Sequence, residues 1–182
     1  MELSEFKLPS DEPEQLLVKS QDVTKPIYGS DPEKRSVEKL LQYGVINLDK
    51  PSGPTSHEVV SWVRKVLGIT NAGHGGTLDP KVTGILPCAL GRATRVLSAL
   101  LNAGKEYIGV LYLHSPEELK RVEKVFKLFT GKIYQRPPIK SSVARRLRIR
   151  EIYYSKVIEM KGNHVLFRIG CEAGTYIRKF CF

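Results

Sequence analysis

One short stretch, residues 73–87, combines residue types that could do chemistry. It begins Gly-His-Gly-Gly-Thr-Leu-Asp-Pro. Three glycines around His74 leave the backbone free to adopt positive φ and let another molecule approach closely. Because Pro80 disfavours the helical region for the residue before it, Asp79 is expected on an extended backbone. The stretch therefore predicts a carboxylate presented on a surface poor in side chains, where it could act on a substrate.

The same stretch also fits an ordinary turn. Glycine-rich runs and Asp-Pro pairs are common turn material. The stretch matches neither G-x-x-x-x-G-K-[ST] nor G-x-G-x-x-G, two patterns that bind phosphate through the backbone. The residue types alone leave open both a reactive carboxylate and a surface turn.

Composition narrows the class of protein. The 182 residues are enough for one domain with a real core, and 41% hydrophobic with 26% charged residues is ordinary for a soluble protein. Lysine and arginine number 29 against 19 acidic residues, a net charge of +10. This excess favours an anionic partner, nucleic acid first, although some soluble proteins are simply basic. With no apolar run long enough to cross a bilayer and no signal-peptide core, we expect a soluble, intracellular protein and no membrane partner.

The cysteines do not indicate a metal site. Cys88, Cys171 and Cys181 form no C-x-x-C pair and no cluster with zinc spacing. They are expected to be reduced and buried. We predict that the protein uses no metal and no cofactor.

Hydrophobic patterning predicts a mixture of helices and strands. Residues 1–43 read as an N-terminal extension and 44–182 as the folded domain. Capping boxes of Thr55 with Glu58 and of Ser115 with Glu118 predict the starts of two helices. The other predicted elements are a strand at 44–50, a helix at 56–67 with an apolar stripe of Val59, Val63, Val66 and Leu67, strands at 84–90 and 105–114, a helix at 91–103, a hairpin turning at Gly162-Asn163, and a final helix from Thr175.

A basic run occupies residues 139–150, where five of twelve residues are lysine or arginine. Such a run is often only a solvated surface. Its serines, the prolines just before it and its clustered arginines also suit a loop that closes on a polyanion.

Five blocks of the sequence, in order, resemble the motifs of the TruB class of RNA pseudouridine synthases. They are GVINLDKPSGPTSH (44–57), GHGGTLDPKVTGILP (73–87), KEY (105–107), QRPP (135–138) and GTYIR (174–178). Within that class, HEVVSWVRKVL, KIYQRPPIKSSV and EAGTYIRK are similar to the dyskerin-type catalytic subunit of box H/ACA guide-RNA particles, and to its archaeal members in particular.

The resemblance implies roles for individual residues. Asp79 matches the catalytic aspartate, and Tyr107 the aromatic residue that stacks on the flipped base and assists proton transfer. Arg178 matches a basic residue that pairs with the aspartate, which would keep Asp79 ionised and oriented. His74 matches a histidine that helps hold the extruded nucleotide. Without the resemblance, Tyr107 would be read as a strand core residue and Arg178 as a surface helix residue.

Further site residues follow from the same resemblance. Lys50 and Pro51 match a motif that supports the loop of the aspartate, and Lys50 is counted among the RNA-binding residues. The basic run matches the loop that grips RNA, so the expected RNA contacts are Lys140, Arg145, Arg146 and Arg148.

The function implied is isomerisation of specific uridines in ribosomal RNA, selected by a box H/ACA guide RNA, with small H/ACA particle proteins as further partners. Alternatives are a standalone transfer-RNA synthase of the TruB type and a truncated, non-catalytic RNA-binding scaffold. The implied pseudouridine synthase fold is α+β, with a mixed, mostly antiparallel sheet flanked by helices. It would be incomplete at the C-terminus and would lack the PUA domain. The expected location is cytoplasmic for an archaeal protein and nucleolar for a eukaryotic one.

Overall fold

The computed structural model describes residues 6–13, 15–23, 25, 27–139 and 143–182. These residues form two compact units. One is Leu16–Asn102, and the other joins the described part of Met1–Gln15 to Ala103–Phe182. The predicted boundary between residues 43 and 44 stays a prediction. In the described part of the chain, no helix has the length and apolar character needed to span a membrane.

The unit Leu16–Asn102 contains a three-stranded antiparallel sheet. The order of its strands is β1-β3-β2. The strands are β1 (Val45–Lys50), β2 (Ala72–His74) and β3 (Gly84–Leu90), and the helices are α1 (Val37–Tyr43), α2 (Ser56–Leu67) and α3 (Leu97–Asn102), with 3₁₀ turns at Pro32–Lys34 and Gly91–Val96.

Helix α2 starts where its capping box predicts. The Thr55 N–H donates to Glu58 Oε2 at 2.7 Å, and the Glu58 N–H donates to Thr55 Oγ1 at 3.2 Å. Val59 and Val60 pack with Leu86 and Cys88 of β3 in the core of this unit. The predicted stripe is wrong at Val66, which is 83% exposed because the buried face turns toward Val60 instead.

The other unit contains a four-stranded antiparallel sheet in the order β4-β7-β6-β5. Its strands are β4 (Lys105–Tyr112), β5 (Gly131–Gln135), β6 (Arg148–Lys161) and β7 (His164–Cys171), and its helices are α4 (Leu119–Leu128) and α5 (Ile177–Phe180). The predicted hairpin between β6 and β7 is confirmed, with Gly162 at φ 54° in its turn. The α+β prediction, with mostly antiparallel sheets and flanking helices, is confirmed.

Three local predictions are wrong. Helix α4 has Glu118 as its N-cap and no side-chain cap, so the second capping box does not form. Residues 91–102 are a 3₁₀ turn followed by α3, and the Thr94 hydroxyl donates to the Gly91 carbonyl at 3.0 Å, a bond that competes with helical pairing. Helix α5 begins at Ile177 because the Thr175 hydroxyl closes the preceding turn on Glu172 O at 2.7 Å.

The core of this second unit is centred on Phe126 of α4. This side chain is 4% exposed, and its ring lies 5.4 Å from the rings of both Phe167 and Phe180. We expect Phe126→Ala to lower the free energy of unfolding by roughly 3–5 kcal/mol, since a buried phenylalanine leaves a cavity when truncated. Denaturant unfolding followed by circular dichroism measures this.

The matched control is Leu128→Ala in the same helix, where the side chain is 73% exposed. It should change the free energy of unfolding by no more than about 0.5 kcal/mol. Equal losses for the two variants would contradict the assignment of Phe126 to the core.

Candidate active site

Asp79 lies in the irregular segment that joins β2 to β3. It is exposed and non-helical, directly before Pro80. Its carbonyl accepts from the Val82 N–H at 3.0 Å, which closes a short turn. The segment has no strand or helix pairing of its own, so its conformation depends on contacts with neighbouring parts of the unit.

The first of these contacts is made by Lys50, the last residue of β1. Its side chain is fully buried, and Nζ donates to the carbonyls of Pro51 at 2.8 Å, Pro54 at 2.9 Å and Pro80 at 3.1 Å. Since an ammonium group has three donors, all of them are used. Lys50 thereby ties the turn after β1 to the residue that follows Asp79. Its predicted contact with RNA stays a prediction.

The second contact is made by Ser56, the first residue of α2, which is also fully buried. Ser56 Oγ accepts from the Leu78 N–H at 3.0 Å and donates to the Leu78 carbonyl at 3.3 Å. The Gly53 N–H adds a bond of 2.8 Å to the Pro80 carbonyl. Asp79 is therefore held through the residue before it and the residue after it, while it remains exposed.

His74 ends β2 just before the glycines. Its ring lies 4.9 Å from the ring of His57 in an edge contact. Burial lowers the pKa of His74 below the usual 6.5; His57 adds to this, and the Gly76 backbone opposes it. Because its pKa lies below neutrality, the imidazole is neutral at pH 7, so one ring nitrogen can donate and the other accept.

The glycines beside His74 are required by geometry. A Cβ on Gly75 would lie 3.3 Å from Cβ of Leu100, and Gly76 has φ 148°, where other residues are rarely found. The Gly75 N–H donates to the Pro87 carbonyl at 2.9 Å, which fixes the start of the Asp79 segment to β3.

Tyr107 and Arg178 belong to the other unit. Tyr107 lies in β4 opposite Ile169 and packs against the buried cluster, as a strand core residue would. Burial, with a smaller contribution from Cys171, raises the pKa of Tyr107 to about 12, so its hydroxyl stays protonated at neutral pH. Arg178 is the second residue of α5. The predicted pairing of Arg178 with Asp79 stays a prediction.

The described basic residues of the predicted RNA loop lie in the segment before β6 and at the start of that strand. Arg145 and Arg146 are exposed. Arg148 is the first residue of β6, and one of its guanidinium nitrogens donates to the Ala144 carbonyl at 3.4 Å. Lys140 lies outside the described residues.

Two residues important to this geometry were not singled out from the sequence. Ser56 lies in the first motif block, and Gln135, whose amide bonds the backbone of Tyr176, lies in QRPP. Both motif blocks were identified in the sequence, but the hydrogen-bond partners of Ser56 and Gln135 are 22 and 41 residues away, so a local pattern could not show them. Among the described residues, no group of three or more histidine, cysteine, aspartate or glutamate side chains could hold a metal ion.

Family models match most of the chain. The model described as TruB family pseudouridylate synthase (N terminal domain) matches residues 64–119 and 114–177. The model described as DKCLD (NUC011) domain matches residues 4–60.

Whole-length relatives and solved structures agree with these matches. The chain is 53% identical over 175 residues to a probable tRNA pseudouridine synthase B of Methanopyrus kandleri and 56% identical over 172 residues to one of Pyrococcus furiosus. These alignments cover 96% and 94% of this chain, and 52% and 51% of those proteins. The chain spans about half the length of the curated relatives it matches.

Two solved structures are similar in fold and sequence. A crystal structure of a Cbf5-Nop10-Gar1 complex matches with a TM-score of 0.92 and 55% identity, over 96% of this chain and 54% of that chain. A structure of an H/ACA RNP bound to a substrate RNA containing 2′-deoxyuridine matches with a TM-score of 0.87 and 51% identity, over 97% and 53%. The pseudouridine synthase fold inferred from the motifs is therefore confirmed.

The three bonds of Lys50 can be tested by removing its ammonium group. We expect Lys50→Met to lower the free energy of unfolding by roughly 2–4 kcal/mol. Each of the three carbonyls left unpaired costs about 1–3 kcal/mol, and part of this loss is offset because the variant no longer buries a charge. The fluorescence of Trp62, the single tryptophan of the chain, reports on this unit during denaturant unfolding. The control is Lys65→Met on the exposed side of α2. If both variants lose the same small amount, Lys50 does not hold the segment.

Proposed function

Because the chain belongs to the TruB family of pseudouridylate synthases, we propose that it isomerises specific uridines of RNA to pseudouridine, with Asp79 as the catalytic residue. One observation carries the proposal: an exposed aspartate is held on both sides by fully buried side chains. Lys50 bonds the Pro80 carbonyl, and Ser56 bonds both backbone groups of Leu78. A carboxylate that is oriented before its substrate binds does not lose conformational entropy during the reaction, which lowers the barrier.

The reaction needs few groups from the protein. The bond from C1′ to N1 of uridine breaks, the uracil rotates, and a bond from C1′ to C5 forms while the C5 proton is lost and N1 gains a proton. The uridine must first leave its stack, at a cost of a few kcal/mol. Asp79 supplies the carboxylate, and the family resemblance assigns Tyr107 to stacking on the base. The Tyr107 hydroxyl is protonated at neutral pH and can donate a hydrogen bond. The neutral imidazole of His74 suits a hydrogen bond to the extruded nucleotide.

Direction by a guide RNA is supported by the structures that this chain resembles. Their descriptions name Cbf5, Nop10, Gar1 and an H/ACA RNP with substrate RNA. The proposed partners are accordingly a box H/ACA guide RNA, ribosomal RNA as substrate, and small H/ACA proteins. The net charge of +10 suits RNA of either kind. The proposed location is the cytoplasm in an archaeal cell and the nucleolus in a eukaryotic one.

A second candidate is a standalone transfer-RNA synthase. The observation that favours it is the description of the relatives from Methanopyrus kandleri and Pyrococcus furiosus as probable tRNA pseudouridine synthase B. The two candidates use the same reaction and differ in how the uridine is selected.

Tritium release from RNA labelled at C5 of uridine tests the reaction and its selection together. We expect release from ribosomal RNA only when an H/ACA guide and its accessory proteins are present. Asp79→Asn should abolish release and leave RNA affinity nearly unchanged, because it removes the carboxylate but keeps the shape of the side chain. The control Asp31→Asn makes the same change at an exposed position in the same unit and should retain full release.

Other outcomes separate the candidates. Release from transfer RNA alone would favour the standalone enzyme. An active Asp79→Asn variant would overturn the catalytic assignment. RNA binding with no release under any condition would leave the chain as an RNA-binding scaffold.

The basic segment, which is the described part of the basic run at residues 139–150, is proposed to bind RNA. Its contribution to RNA binding can be measured from the salt dependence of the affinity. Replacing Arg145, Arg146 and Arg148 together by glutamine should weaken RNA binding, because fewer counterions are then released on association. The slope of log affinity against log salt should become shallower by about 0.9 for each duplex phosphate that the variant no longer neutralises. The control replaces Lys120, Lys124 and Lys127, exposed on α4, by glutamine and changes the net charge equally. An identical slope in the two triple variants would mean that the arginines form only a solvated segment.

A further inference from the structure

Gln135 is a buried polar side chain at the end of β5, with 7% of its surface exposed. Its Nε2 donates to the Tyr176 carbonyl at 3.2 Å, and its Oε1 accepts from the Tyr176 N–H at 2.9 Å. The amide therefore pairs with both backbone groups of one residue, as a neighbouring strand would. Two such bonds fix the position and the orientation of the Tyr176 peptide together.

Tyr176 is the N-cap of α5, and Arg178 is the second residue of that helix. The helix has four residues, far fewer than a helix needs to be stable by itself in water. It has to be held by contacts at its ends. At the far end, the Phe180 ring packs 5.4 Å from the Phe126 ring; at the near end, the Gln135 amide holds Tyr176.

The turn before Tyr176 is also held. The Glu172 N–H donates to the Glu151 carbonyl at 2.8 Å, and Gly174 has φ 77° with the Arg150 guanidinium against it. A Cβ on Gly174 would lie 3.3 Å from one nitrogen of that guanidinium. These contacts restrain the backbone from Glu172 to Tyr176, and Gln135 bonds the residue that directly precedes the helix.

Gln135 also lies next to the basic segment. It pairs with Arg148 in the last rung between β5 and β6, and residues 136–147 connect the two strands. A substitution at Gln135 could therefore act on Arg178, on the basic segment, or on both, and the test has to separate these effects.

We propose that Gln135 is a positioning residue for the isomerisation: its amide holds the Tyr176 backbone and thereby sets where Arg178 stands. The proposal rests on the proposed function and on the role that the family resemblance implies for Arg178, that of orienting the catalytic carboxylate. Gln135 does not touch the substrate in this account, and its effect appears in the rate and not in RNA affinity.

The test is Gln135→Met, which keeps a similar volume and removes both bonds. We expect hydrogen exchange of the amides of Tyr176 to Phe180 to accelerate, and the single-turnover rate of isomerisation to fall about tenfold or more, because a misplacement of 1 Å can cost 10²-fold. The RNA dissociation constant should stay within about twofold, because the basic side chains are unchanged.

The matched control is Ser155→Ala in β6 of the same unit. It also removes two hydrogen bonds, one of 3.1 Å to the Phe126 carbonyl and one of 2.9 Å to the Thr130 hydroxyl. The Phe126 carbonyl keeps its bond from the Thr130 hydroxyl at 3.1 Å, so the Phe126 ring that contacts Phe180 should stay in place. It should leave the rate and the exchange of residues 176–180 unchanged. An equal fall in rate for Ser155→Ala would reduce Gln135 to a residue that acts through stability alone and would overturn the proposal.

The remaining outcomes are distinct. Unchanged exchange at 176–180 in Gln135→Met, or an unchanged rate, overturns the proposal. A loss of RNA affinity with an unchanged rate per bound RNA also overturns it and assigns Gln135 to the basic segment. If the wild-type chain has no isomerase activity, the proposed function is refuted. Faster exchange in Gln135→Met would then show only that Gln135 stabilises α5.

Discussion

The buried ammonium group of Lys50 is the constraint on which the candidate site depends. Moving a charge out of water costs several kcal/mol, and the protein offsets this with three backbone carbonyls arranged around Nζ. Those carbonyls belong to the turn after β1 and to Pro80, 30 residues later in the sequence. The two segments therefore have to lie close together when Lys50 makes all three bonds. Because Pro80 is one of the bonded residues, the position of Asp79 beside it is restrained as well.

The same arrangement recurs in the other unit with an uncharged group. Gln135 holds the backbone of Tyr176 as Ser56 holds that of Leu78, and each holds a residue one or two positions from a proposed functional side chain. Asp79 lies in an irregular segment and Arg178 in a helix of four residues, neither of which regular secondary structure stabilises by itself. Buried side chains supply the missing order, while Asp79 itself stays exposed.

Sequence patterns predicted some, but not all, of the features that local interactions determine. The capping box of Thr55 and Glu58 joins residues three apart and forms as predicted. The one at Ser115 does not form, because α4 begins three residues later than the pattern indicates. The resemblance implied that Lys50 supports the loop of Asp79, but the burial of Lys50 and its bond to Pro80 were not predicted, and neither were the bonds of Gln135. Pro80 and Tyr176 lie 30 and 41 residues from these side chains, and no periodicity records such contacts. The motif blocks identified where these residues lie but not what each one contacts.

The most direct test of this account is amide hydrogen exchange at Leu78 in the chain without RNA. If Lys50 and Ser56 order the Asp79 segment in advance, the Leu78 N–H, which donates to buried Ser56 Oγ at 3.0 Å, exchanges far more slowly than in an unstructured peptide. Replacing Lys50 by methionine should remove most of that protection. Exchange at the unstructured rate in the unmodified chain would contradict the account, because Asp79 would then be ordered only when RNA binds.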